Sequence, residues 1–227
     1  MHLPLQNLIL LLSYSQYVLS APSVPEQQVI TPPATETSSS IHDALKSSSV
    51  IPDVLDDFEP SHSLSVTYPK SHESVHLGND IPVASVSSRP GFKFHSMSVE
   101  GDTPASSNKT FTLILTDPDA KSRNNPKWSE MCHWILTNLT APATSEVKAS
   151  EKGQLIKYLP PTPPPKTGKH RYVFVLLEGQ ERQVLSPPKE RKHWGTGKVR
   201  HGVRDWAKEN GLNIIGANFF YAENAKQ

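Results

Sequence analysis

The chain has 227 residues, 36% hydrophobic content and a formal net charge of +1. That length accommodates one sizeable domain with appendages, and the near-neutral balance excludes binding of nucleic acid through bulk charge. One cysteine, Cys132, excludes an internal disulfide.

Residues 1–20 read as a secretory signal peptide. Leu8 to Leu12 is the apolar run, and Val18-Leu19-Ser20 before Ala21 suits a small-residue cleavage site. The leader carries His2 but no Lys or Arg, so an uncleaved apolar tail is the alternative. No segment is long and apolar enough to be expected to span a membrane. Residues 21–49 form a Pro/Ser/Thr-rich linker with too few apolar residues to offset the entropy of ordering; Ile41 to Lys46 is expected to form a short helical turn at most. Two sequons, Asn108-Lys109-Thr110 and Asn138-Leu139-Thr140, are candidate glycosylation sites. With the leader, they predict a secreted glycoprotein with an extracellular or vacuolar destination.

The folded domain is expected over 50–225. Ile51 to Phe58 places Val54, Leu55 and Phe58 at helical spacing, with Pro52 and Asp53 suited to a helix start. Leu64 to Tyr68 and Phe92 to His95 alternate as strands. Phe111 to Thr116, His133 to Asn138 and Tyr172 to Leu177 are apolar runs of core-strand length. Val203 to Asn210 reads as an amphipathic helix stopped by Gly211, and Ile214 to Tyr221 as a last strand. Many strands with late helices predict a mainly β sandwich with peripheral helices.

The chemistry gathers at strand ends. The run Phe111 to Thr116 stops at Asp117-Pro118-Asp119, because Pro118 has no ladder donor. In an extended chain Asp117 and Asp119 point the same way. His133 opens the next apolar run. Downstream, alternation puts His170 and Tyr172 on one face of a strand and Arg171 on the other. These residues could build a small polar pocket; a turn aspartate and core histidines account for the spacing equally well. His72 and His76 lack a third metal ligand, and the basic stretches Arg191 to Trp194 and Lys198 to Arg204 suit solvated surface. There is no nucleophile elbow, phosphate loop or dinucleotide fingerprint.

The blocks TDPDAKSR, CHW and GKHRYVF, in that order, resemble the signatures of the phosphatidylethanolamine-binding protein family. Residues 50–58, 77–82 and 216–223 are most similar to its fungal branch, the inhibitors of carboxypeptidase Y. The resemblance implies a large antiparallel sheet packed on a smaller one, with the C-terminal helix near a pocket. It implies Asp117, Asp119, His133, His170 and Tyr172 as ligand-binding residues for phosphate-like groups or phospholipid head groups. Imidazole and phenol groups would donate to anionic oxygens, and two aspartates would repel a full dianion, favouring a monoanion or zwitterion. No metal, cofactor or catalytic nucleophile accompanies the cluster. The first reading is therefore a secreted, non-enzymatic binding module, and the alternative is an inhibitor of a serine carboxypeptidase. Several positions depart from the family pattern. Lys121 stands where a proline is usual, which predicts an ordinary trans peptide there, and Phe220 stands where a pocket tyrosine is usual.

Overall fold

The computed structural model describes residues 36–97, 109–140, 153–181 and 183–227. Its strands are β1 (His62–Tyr68), β2 (Glu73–Val75), β3 (Asn79–Asp80), β4 (Gly91–Ser96), β5 (Lys109–Asp117), β6 (Met131–Leu139), β7 (Gln154–Ile156), β8 (His170–Gln180) and β9 (Asn213–Ala222). They form a three-stranded sheet ordered β2-β1-β4 and a six-stranded sheet ordered β3-β9-β8-β5-β6-β7. All pairings are antiparallel except that of β3 with β9. The helices are α1 (Ser38–Ser47), α2 (Val50–Asp53) and α3 (Val203–Glu209). The expected mainly β sandwich with peripheral helices is the observed fold.

The continuous apolar runs follow from burial of the large sheet on both faces. Leu113, Leu115, Trp134, Leu136, Phe174 and Leu176 face the small sheet and meet Leu64, Val66, Phe92 and Phe94. The alternate residues Ile114, Ile135, Val173, Val175 and Leu177 face the helices and meet Ile41, Leu45, Val203 and Trp206. The molecule therefore has three layers, with β5, β6 and β8 in the middle.

Four expectations change. The linker assigned to residues 21–49 is structured from Thr37 onward. Thr37 accepts from the Ser40 backbone and Ser40 returns a bond to the Thr37 backbone, a reciprocal cap. Ile41 and Leu45, one turn apart, are fully buried, each worth about 1.5–3 kcal/mol of burial. The helix expected over 51–58 is only the single turn α2, because Ile51 leaves helical geometry at φ −95°, ψ 117°. The peptide bond between Ala120 and Lys121 is cis, where an ordinary trans bond was expected. By contrast, α3 ends where the sequence indicates, with Gly211 at φ +61°.

Asn138 was expected in a turn after its strand. It lies within β6, exposed and at φ 57°. There an extra residue breaks the register between Phe111–Leu139 and Leu113–Leu136, and asparagine tolerates that left-handed geometry. The leader at 1–20, the linker residues 21–35 and Asn108 lie outside the described residues. Among the described residues no helix is long and apolar enough to cross a membrane.

Candidate functional site

The site sits where β5 ends, β6 begins and β8 begins. Antiparallel pairing of β5 with β8, with Thr116 opposite Val173, brings Asp117 beside the start of β8. A cavity of about 160 Å³ opens there, lined among others by Asp117, Lys121, Trp128, His133, His170 and Tyr172. Four of the five residues expected at the site thus converge.

Asp119 does not line this cavity. The chain turns at Pro118, so the extended-chain alternation that aligned the two aspartates ends one residue early. Asp119 is wholly buried and takes three bonds from Arg171: backbone N–H at 2.8 Å, Nε at 2.9 Å and Nη2 at 2.7 Å. The same guanidinium donates to the Ser48 and Ser49 carbonyls and to Asp53. It thereby fastens α2 to the sheet; the non-helical geometry itself falls on Ile51, the residue before Pro52. Arg171 was correctly placed on the face opposite His170 and Tyr172.

The hydrogen bonds assign the proton positions at the pocket. Thr167 Oγ1 donates its single hydrogen to the Pro164 carbonyl at 2.7 Å. It therefore accepts from His170 Nε2–H at 3.0 Å. The other ring nitrogen, Nδ1, donates to Asp117 Oδ2 at 2.9 Å. With Nδ1 and Nε2 both donating, the ring has the hydrogen-bonding pattern of an imidazolium. Burial alone would lower the His170 pKa, but the bond to Asp117 and its charge outweigh burial and hold it above the ordinary histidine value. The remaining Asp117 oxygen accepts the Asp119 backbone N–H at 2.7 Å.

His133 is the opposite case. Its Nδ1–H donates to the Leu159 carbonyl at 2.8 Å, which leaves Nε2 as an acceptor in the neutral ring. Burial lowers its pKa, and the positive charges of Arg191 and His170 add to that against Asp117. Tyr172 is packed edge-on against His133 at 5.3 Å and stacked on Phe220 at 5.3 Å. Burial, then the Asp117 charge, hold its phenol protonated well beyond the usual range. Phe220 supports Tyr172 from behind and does not line the cavity. Nor does any residue of α3, contrary to the expected place of the C-terminal helix beside the pocket.

Sequence reasoning missed the rim. Lys121 Nζ lies 4.9 Å from the centroid of the Trp128 ring, and Lys192 Nζ lies 4.4 Å from the same ring. The signal was the lysine at the position where the family pattern has a proline. A second omission is Glu130, buried behind the site. It accepts from Thr116 Oγ1 at 3.1 Å, Gly202 N–H at 3.0 Å and Val203 N–H at 3.4 Å. Burial raises its pKa to about 7 despite these bonds. The neighbouring Cys132 faces the helix layer, where burial pushes the thiol up to about 12.

Two packed sheets with a small cavity at the strand ends, where titratable side chains stand among apolar walls, define the class. The family model for phosphatidylethanolamine-binding protein matches residues 71–220, and the chain belongs to this family. It is similar to the carboxypeptidase Y inhibitor of Saccharomyces cerevisiae, 37% identical over 206 residues, covering 80% of this chain and 94% of the inhibitor. The crystal structure of carboxypeptidase Y inhibitor complexed with the cognate proteinase superposes with a TM-score of 0.74, covering 84% of this chain and 98% of that one. Protein TERMINAL FLOWER 1 of Arabidopsis thaliana is 34% identical over 176 residues, covering 77% of this chain and 86% of that protein. The phosphatidylethanolamine-binding protein from Plasmodium vivax, 22% identical, shares the fold with a TM-score of 0.67, covering 80% and 96% of the two chains.

Proposed function

We propose that this chain is a non-enzymatic protein inhibitor of a serine carboxypeptidase. The observation that carries the reading is the likeness to the yeast inhibitor over nearly that protein's whole length, in sequence and in the complexed structure. Titration of the purified chain into carboxypeptidase Y, with hydrolysis of a chromogenic peptide as readout, tests the proposal. Stoichiometric loss of activity is expected; full activity with micromolar protein present would overturn it.

A second reading, a site for phosphate-like groups or phospholipid head groups, is favoured by the cavity lined by Asp117, His133, His170 and Tyr172. Its volume suits a group smaller than a drug-sized ligand. Calorimetry with inorganic phosphate on the wild type and on His133→Ala tests it. The substitution is expected to cost about 1–3 kcal/mol of binding, whereas millimolar phosphate without heat in the wild type would reject the site. Export to the medium or vacuole, with glycan on Asn108 or Asn138, is supported by the leader and the sequons. Mass spectrometry of native protein is expected to find Ala21 as the first residue. An intact, unmodified Met1 chain retained in cells would sink it.

A further inference from the structure

The balance of charge around the pocket differs from the one that two aspartates would create. Asp119 is outside it, committed to Arg171 at 2.7 Å. Asp117 is matched by the His170 imidazolium at 2.9 Å, and both of its oxygens already accept hydrogen bonds. His133 is neutral, and the Tyr172 phenol is neutral. Among the described residues lining the cavity, Lys121 alone carries a charge without a partner carboxylate. A second ammonium, Lys192, sits on the same Trp128 ring, which itself lines the cavity. Arg191 adds a third positive charge close by, donating to the His133 carbonyl at 3.1 Å.

Resting on the reading of this cavity as an anion site, we propose that Lys121, with Lys192 beside it on Trp128, makes the pocket select phosphomonoester dianions over zwitterionic phosphoethanolamine groups. A dianion meets a net positive mouth, an Asp117 already paired with His170 and, among the described lining residues, no other carboxylate. The ammonium of phosphoethanolamine meets two like charges and, among the described lining residues, no uncompensated negative charge. Two sources present the same phosphomonoester chemistry: a soluble ester such as glycerol phosphate, and a lipid surface bearing phosphatidic acid.

The test compares sn-glycerol 3-phosphate with O-phosphorylethanolamine, esters of similar size that differ in the ammonium. Calorimetry at low salt is expected to give the wild type a roughly tenfold preference for glycerol phosphate. Lys121 and Lys192 are both exposed, so the double variant Lys121→Gln/Lys192→Gln is expected to keep the wild-type melting temperature while its preference falls to near unity. Flotation with phosphatidylcholine vesicles carrying phosphatidic acid or phosphatidylethanolamine separates the sources. Retention on phosphatidic acid alone supports the proposal with a lipid source. Binding of the free ester without retention supports it with a soluble one. Equal affinity for the two esters, or a preference unmoved by the double variant, overturns the selectivity and leaves an anion site. No binding of either ester or of inorganic phosphate overturns the anion site and the selectivity together.

Discussion

Asp117 and Asp119 stand two residues apart at the end of β5, and a cation from the start of β8 holds each one. Asp117 faces the cavity and is paired with His170, whose charge depends on pH. Asp119 faces the helix layer and is paired with Arg171, whose charge does not. The two-faced sheet makes this division. Consecutive residues His170 and Arg171 point to opposite layers, so one strand supplies a titratable group to the pocket and a permanent one to the architecture. Glu130 completes the set: a buried carboxylate held by uncharged donors, whose pKa burial raises despite those bonds.

Breaking the permanent pair gives the largest expected effect. Arg171→Leu leaves Asp119 buried without its cation, holding only the backbone N–H of residue 171, and releases the Ser48 and Ser49 carbonyls. A loss of about 3–5 kcal/mol in urea unfolding is expected. A loss under about 1 kcal/mol would mean that the guanidinium is not the fastening between the α2 turn and the sheet.

Glu130 sharpens the comparison through pH. Its folded value is raised from 4.5 to about 7, so the folded chain holds the proton more tightly than the unfolded one. Its contribution is most favourable below 4.5 and is lost as pH rises through about 7, with a decline on the order of 3 kcal/mol. Glu130→Gln is expected to flatten the stability profile across that window. Parallel profiles for variant and wild type would contradict the assignment.

The pocket pair gives the smallest effect. The His170 value is raised, so its stabilisation is fully present below the ordinary histidine value and is lost as pH rises through the folded value. His133 is lowered, so its contribution is present above the ordinary value and is lost as pH falls through the folded one. Asp117→Asn is expected to cost about 1–3 kcal/mol at acidic pH and to bring the His170 titration down in an NMR experiment. Superimposable titrations of His133 and His170 in the wild type would refute the distinction between them.

The same residues explain what could be read from the chain. The strands β5, β6 and β8 were legible because burial on both faces makes their apolar runs continuous. Strand β7, three half-buried residues, offers no such pattern. Helix α1 was hidden by its serines, since Ile41 and Leu45 are a sparse stripe whose partners lie far along the chain. At the site, period-two alternation placed His170, Arg171 and Tyr172 correctly on β8. It failed for Asp119 because the rule holds only while the chain stays extended, and the turn begins at Pro118. The roles of Lys121 and Trp128 depend on a contact across that turn, which no local spacing encodes.

The burial of Cys132 has a practical consequence for labelling chemistry. Its thiol has no exposed surface, and its pKa is pushed up to about 12, so thiolate is scarce at neutral pH. Maleimides and thiol-directed oxidants should leave Cys132 of the folded chain unmodified. Because the sequence has one cysteine, a second one introduced on the surface would be the single reactive handle. A dye or spin label attached there would report on peptidase or vesicle binding without a cysteine-free background. Conversely, reaction of Cys132 itself would report unfolding.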